Sequence, residues 1–282
     1  MQQRSIYEKY RQLRCEYGER ERDIYVSTYS RSGTTWMQLI LYQLTTEGSM
    51  DFEHIFEVSP WLYYSALRNM PAVQVPDPRI LKTHDEYEFY SPETKGRFVY
   101  VLRDGRDVLN SFYFHKKYAK GYTGSFDEHV RNFIHNTEYN WFRHVRGWLE
   151  NRHGFPILYV KYEDLVNDLD TEVGRIADFC GIVLNPALGE RVRQHTSFTF
   201  MKQHEMRLGP RPEHFAGLEY SPYRVARQDR FIRRGLVGEG AARLSARHLA
   251  DYRRKFDEVL GSFAGIAEYR GKDSVMESLV SS

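Results

Sequence analysis

The sequence predicts an α/β fold: a single domain over residues 1–282 with a mainly parallel central sheet flanked by helices. Three observations lead there. Strand-like runs near residues 24, 80, 97 and 157 alternate with helical patterns, the order that builds parallel sheets. The first run passes through a small-residue loop straight into a helix pattern, a P-loop-like strand-loop-helix. No repeat, low-complexity run or Gly/Ser/Pro-rich linker divides the 282 residues.

The elements follow in order. Residues 1–20 read as a charged helix with Tyr7, Tyr10, Leu13 and Tyr17 near one face. Ile24, Tyr25 and Val26 suit a buried strand. Ser30 to Thr35 turn around Gly33, and a helix runs from Thr34 to about 46, with Gly48 as its stop. Residues 50–78 are irregular to helical, broken by prolines. Strands are expected at 78–84 and 97–103. A turn at 104–107 leads into a helix from near Val108, followed by a helix at 136–151 and a strand at 156–161. Helical stretches are expected at 168–180, 186–194 and 243–260. Residues 202–230 read as a long polar loop. The core is expected at about 20–270, with the tail 271–282 frayed.

Hydrophobic content of 41% and charged content of 28% are those of an ordinary globular chain. A net charge of +2 gives no general polyanion surface, so nucleic acid is not an expected partner. No window approaches the ~18 apolar residues of a membrane span, and the first ten residues lack the apolar core of a signal peptide. Cys15 and Cys180, the only cysteines, lack metal-ligand spacing and read as reduced thiols. The expectation is a cytoplasmic protein without a metal.

The loop Tyr29–Trp36 has the makings of an anion site. N–H groups at a helix start point into it, and the helix dipole favours negative charge. Arg31 adds a cation; Ser32, Thr34 and Thr35 add hydroxyls. The nucleoside-triphosphate version of such a loop needs G-x-x-x-x-G-K-[ST]. Here Ser27 stands at its first Gly and Thr34 at its Lys. In doubly wound folds ligands sit at the carboxyl ends of strands. That rule gathers Arg31, Lys82 with His84, Arg103 and Tyr162, one cluster per strand end.

These clusters together resemble the cytosolic-type sulfotransferases, which use 3′-phosphoadenosine 5′-phosphosulfate (PAPS). Tyr29–Trp36 is similar to their 5′-phosphosulfate loop, Leu81-Lys82-Thr83-His84 to the strand carrying their catalytic histidine, and Tyr100–Val108 with Ser111 to their 3′-phosphate segment. The segments 158–165, 194–198 and 231–235 also resemble family segments, in family order. Arg31 stands where the family usually has Lys. The family's Gly-Asp-Trp-Lys after Gly235 is absent, and its dimer motif is not clear, leaving monomer or homodimer open.

The resemblance implies transfer of a sulfuryl group from PAPS to an acceptor hydroxyl or amine of a small molecule, without a metal. It implies His84 as general base, Lys82 and Arg31 as charge stabilisers, and Arg31, Ser32, Gly33, Thr34, Thr35 and Trp36 around the 5′-phosphosulfate. Arg103, Ser111, Arg233, Arg234 and Gly235 would hold the 3′-phosphate. Tyr162, Thr196, Ser197 and Phe198 would contact the adenosine, and Phe231 and Ile232 would close over the nucleotide. Two alternatives remain: a P-loop kinase or NTPase, which the missing Lys opposes, and a non-catalytic nucleotide binder, which the intact Lys82 and His84 oppose. The segments 50–78, 85–92, 112–125 and 202–228 are expected to wall the acceptor pocket. Trp61, Tyr63, Tyr64, Tyr87, Phe89, Tyr113 and Phe114 are candidates to line it, suiting a phenol, a sterol-like alcohol or a lipid-like product.

Overall fold

Four parallel strands carry the architecture, in the order β2-β1-β3-β4: β1 (Ile24–Thr28), β2 (Ile80–Thr83), β3 (Arg97–Leu102) and β4 (Ile157–Lys161). The computed structural model describes residues 2–119, 121–211 and 231–271. Alternation along the strands sorts side chains by size onto the two faces. Tyr25, Leu81, Phe98, Tyr100 and Leu102 face an aromatic layer with Trp141, Trp148, Tyr252 and Phe256. Ile24, Val26, Ile80, Val99 and Val101 face an aliphatic layer with Met37, Leu41, Ile176 and Val192.

The helices pack on these faces. On the aliphatic side lie α2 (Thr34–Thr45) and, later in the chain, α9 (Leu169–Cys180) and α10 (Pro186–His195). The aromatic side receives α1 (Gln2–Tyr17), α7 (Trp141–Glu150) and α14 (Ala246–Leu260). Between these come α3 (Ile55–Val58), α4 (Leu62–Leu67), α5 (Gly105–Ala119), α6 (Phe126–His135), α8 (Tyr162–Asn167), α11 (Phe198–Gln203), α12 (Glu205–Leu208) and α13 (Glu239–Arg243).

Several boundaries differ from the sequence reading, three of them at capped helix starts. Helix α5 begins at Gly105 rather than near 108, because the Asp104 side chain takes the Arg106 N–H at 2.8 Å. It continues to Ala119, so most of the expected loop at 112–125 is helix. Helix α6 went unrecognised, although Ser125 caps it by accepting from Glu128 N–H at 3.1 Å. Helix α7 starts at Trp141, not 136, where Asn140 accepts from Arg143 N–H. Residues 202–208, expected in a loop, are mostly helical in α11 and α12. The rest of that loop from 212 to 230, and the tail from 272, lie outside the described residues.

A buried ion pair ties α1 to the amino ends of the strands. Arg79 Nε and Nη2 donate to the two oxygens of Asp23 at 2.7 and 2.6 Å, and neither side chain is exposed. Arg79 also donates to the carbonyls of Tyr17 and Gly18, and its guanidinium lies 4.2 Å from the Tyr17 ring centre. Removing one partner leaves an uncompensated buried charge. Asp23→Ala is expected to cost about 3–5 kcal/mol, and the double variant Asp23→Leu/Arg79→Met less than that. Urea denaturation checks both; a double variant weaker than the single would reject the pairing argument.

Candidate active site

The strand order reverses between β1 and β3, and the loops leaving these two strands open onto one cavity of about 1520 Å³. The β1–α2 loop is a tight one. Ser32 N–H donates to Tyr29 O at 3.2 Å, Arg31 sits at φ 74° and Gly33 at φ 105°. Both are left-handed positions, costly for Arg31 and natural for glycine. A Cβ on Gly33 would stand 2.9 Å from Tyr162 Cδ2, so the ring of Tyr162 packs against bare backbone. The first turn of α2 then presents its N–H groups to the cavity.

Arg31 knits three segments together. Its Nε donates to Ser111 Oγ at 3.3 Å and its Nη2 to Phe231 O at 2.9 Å, with the guanidinium 4.8 Å from the Phe231 ring centre. Its carbonyl accepts from Arg103 Nη1 at 3.2 Å. Arg103 lies 4.2 Å from the Tyr162 ring centre, and Trp36 meets the same ring edge-on at 5.5 Å. Two buried donors on the cavity wall, Trp36 Nε1 and Arg103 Nε, have no hydrogen-bond partner among the described residues.

At the end of β2, Lys82 and His84 line the same cavity. Lys82 Nζ sits 4.3 Å from the Trp61 ring centre and 5.1 Å from that of Phe56. Burial, reinforced by the Arg31 charge, brings its pKa down to about 7. His84 Nδ1 lies 2.9 Å from Thr28 O, so this nitrogen is the donor and Nε2 keeps its lone pair. Thr28 Oγ1 adds a contact to Nδ1 at 3.2 Å and bonds Thr34 Oγ1 at 2.6 Å, chaining the imidazole to the first residue of α2. Burial first, then the Lys82 charge, pushes the His84 pKa well below the usual imidazole range, against the pull of the Thr28 carbonyl.

The segment 231–240 folds over the cavity and is fixed by Asp107 on α5. Its two oxygens accept from Gly240 N–H at 2.7 Å and Gly238 N–H at 2.8 Å. Arg233 and Arg234, expected to await a phosphate, both pair with Glu239. Although burial opposes its ionisation, the two arginines hold the Glu239 carboxyl below its usual pKa.

The cavity wall includes Gly33, Thr34 and Thr35 of the loop and helix start, together with Thr196, Ser197, Phe198, Ile232 and Gly235. Ser32 departs from expectation: its side chain is buried and its N–H is taken by Tyr29. Thr196 Oγ1 turns back to Val192 O at 2.7 Å. Of the expected acceptor-side rings, Trp61, Tyr63 and Phe89 line the cavity. Tyr87 packs instead on Trp148 in the core, Tyr113 is buried against Phe126, Tyr64 lies behind Trp61, and Phe114 carries the Arg233 and Arg243 guanidiniums. Sequence reasoning missed Thr28, Tyr7 and Tyr139. Tyr139 stacks on Tyr29 at 4.4 Å and accepts from Ser30 N–H. Asp85, also missed, accepts from Tyr10, Thr83 and Tyr90 on one oxygen. The tyrosine stripe of α1 was the available signal for Tyr7; Thr28 and Tyr139 carried none. Among the described residues no group of His, Cys, Asp or Glu could hold a metal, and no helix is long and apolar enough to cross a membrane.

Fold and site define a P-loop-like α/β protein with a cationic cleft built around an imidazole. Residues 21–264 match the family model described as the sulfotransferase domain. Sulfotransferase 1A1 of Bos taurus is 31% identical over 236 residues, covering 77% of this chain and 76% of the relative. Sulfotransferase 1B1 of Mus musculus is 29% identical over 240 residues, covering 77% and 75%. The crystal structure of retinol dehydratase in complex with androsterone and inactive cofactor PAP has a TM-score of 0.73 at 22% identity, covering 92% of this chain and 86% of that one. The chain belongs to the sulfotransferase family, and it is an enzyme of sulfuryl transfer.

Gly33 tests the loop. With φ 105° and Tyr162 at contact distance, Gly33→Ala is expected to destabilise by about 1–3 kcal/mol, read as a lower urea midpoint. A variant as stable as the parent would contradict the packing described.

Proposed function

We propose that the chain transfers the sulfuryl group of PAPS to a small-molecule hydroxyl or amine, with His84 Nε2 accepting the acceptor's proton. The observation that carries this reading is the bond from His84 Nδ1–H to Thr28 O, which leaves Nε2 as a base in the cavity shared with Lys82, Arg31 and Arg103. PAPS suits the site: Trp36 Nε1 and Arg103 Nε are buried donors without partners among the described residues, and Arg31, Lys82, Arg103, Arg233 and Arg234 line the same cavity. When bound, it supplies an activated sulfuryl group on a phosphate leaving group.

The chain's own groups do the rest, mostly by positioning and charge stabilisation. Arg31 and the N–H groups at the start of α2 hold the 5′-phosphosulfate. Lys82 stabilises negative charge as it grows on the departing oxygen. Arg103 and Ser111 take the 3′-phosphate, joined by Arg233 and Arg234 when these exchange Glu239 for it. Trp36, Tyr162, Thr196, Ser197 and Phe198 contact the adenosine, and Phe231, Ile232 and Gly235 cover it. Tyr7, Trp61, Tyr63, Phe89 and Tyr139 form an aromatic wall on the acceptor side, which favours a phenol or a sterol-like alcohol. We place the enzyme in the cytoplasm, a reading supported by its two free cysteines.

Two measurements test the roles. His84→Ala is expected to bind adenosine 3′,5′-bisphosphate (PAP) as tightly as the parent while losing transfer by at least about a hundredfold; unchanged turnover would reject His84 as the base. Lys82 gives a proton signature. With a pKa of about 7, it is mostly neutral at pH 8, and a bound polyanion draws a proton onto it. Calorimetry in buffers of different ionisation enthalpy is expected to find uptake of about one proton at pH 8, lost in Lys82→Met. Equal uptake in that variant would remove Lys82 from the anion site.

A further inference from the structure

A second cavity, of about 370 Å³, lies at the opposite end of the sheet. Its wall includes Ile24 and Arg97, register partners at the starts of β1 and β3, whereas the cleft described above opens at the ends of the same strands. Three arginines from separate elements line it: Arg22 ahead of β1, Arg97 on β3 and Arg191 on α10. Glu47 is the one acidic residue on this wall.

Two of these arginines are aimed without being neutralised. Arg97 Nη1 donates to Phe179 O, with the guanidinium 5.7 Å from the Phe179 ring centre. Arg191 Nε donates to Glu47 O at 2.9 Å. A carbonyl fixes the direction of a guanidinium but leaves its charge. Among the described residues none of the three makes an ion pair, whereas Arg20, Arg79, Arg106, Arg143 and Arg193 each meet a carboxylate. Like charges gathered around one concave space repel, and an anion placed among them relieves that repulsion.

We infer that this cavity is a second anion site, separate from the sulfuryl-transfer cleft, and that it takes a compact phosphate monoester. Guanidinium forks match phosphate oxygens, and a dianionic head offsets the excess positive charge of the wall. The volume is near the lower end of ligand pockets, roughly 300–1,000 Å³, and exceeds what a bare phosphate fills. Ile182 and the exposed Val183 border this mainly polar wall and are the apolar residues open to the ester's carbon part.

The experiment fills the cleft first. Protein saturated with PAP is titrated calorimetrically with phenyl phosphate, inorganic phosphate and phenyl sulfate. Phenyl phosphate is expected to give one further binding event, with the other two weaker. The double variant Arg97→Gln/Arg191→Gln is expected to weaken that event at least about tenfold with PAP binding unchanged. Arg22→Gln, at an exposed position that folding does not depend on, is expected to weaken it by a smaller factor. Absence of a second event, or one that survives both variants, overturns the site. Inorganic phosphate or phenyl sulfate binding as tightly as phenyl phosphate overturns the assignment of a phosphate monoester.

Discussion

The site depends on Arg31 being held in a left-handed conformation. At φ 74° its side chain reaches Ser111 on α5 and the Phe231 carbonyl, while its own carbonyl meets Arg103. A long side chain at such a position carries local strain, and it persists because packing on several sides determines it. One residue thereby joins the β1–α2 loop, the helix after β3 and the segment that folds back from residue 231. The three parts of the cleft come from stretches of chain up to 200 residues apart.

The same crowding sets the electrostatics. Arg31, Lys82 and His84 share a cavity with aromatic walls, so charge on any of them is disfavoured by desolvation and by its neighbours. Arg31 stays protonated, because a guanidinium does not give up its proton in proteins. Lys82 and His84 respond instead, both shifting down. The site therefore holds a neutral imidazole beside an ammonium that gives up its proton readily. Glu239 has a parallel place at the rim, pairing with both Arg233 and Arg234.

Where the sequence was legible, the signal was local. β1, β2 and β3 appeared as apolar runs because parallel strands are buried on both faces, β4 is an apolar run although only Val160 in it is buried, and β3 at Arg97–Leu102 lies within the expected 97–103. The loop Tyr29–Trp36 announced its tight turn and the helix start at Thr34 through its small residues and Gly33. Helix α6 has a local signal as well, the capping pair Ser125 and Glu128 at its start. The helical stretch at 202–208 was hidden by its polar composition: the Arg207 guanidinium over the Phe52 ring and the bond from Lys202 Nζ to Ile232 O are tertiary.

By itself the sequence determined the class of fold, the order of its strands along the chain and the residue types at their ends, because periodicity, turn chemistry and the loop's hydroxyls and cation act over a few residues. Only the tertiary structure decided that the Thr28 carbonyl fixes the tautomer of His84, that burial and the Arg31 charge bring down the pKa of Lys82, that Glu239 holds the two arginines of the segment 231–240, and that Tyr87 and Tyr113 belong to the core rather than the pocket. Each of those outcomes depends on which groups stand within a few ångströms across large sequence separations, and neither spacing nor composition encodes that distance.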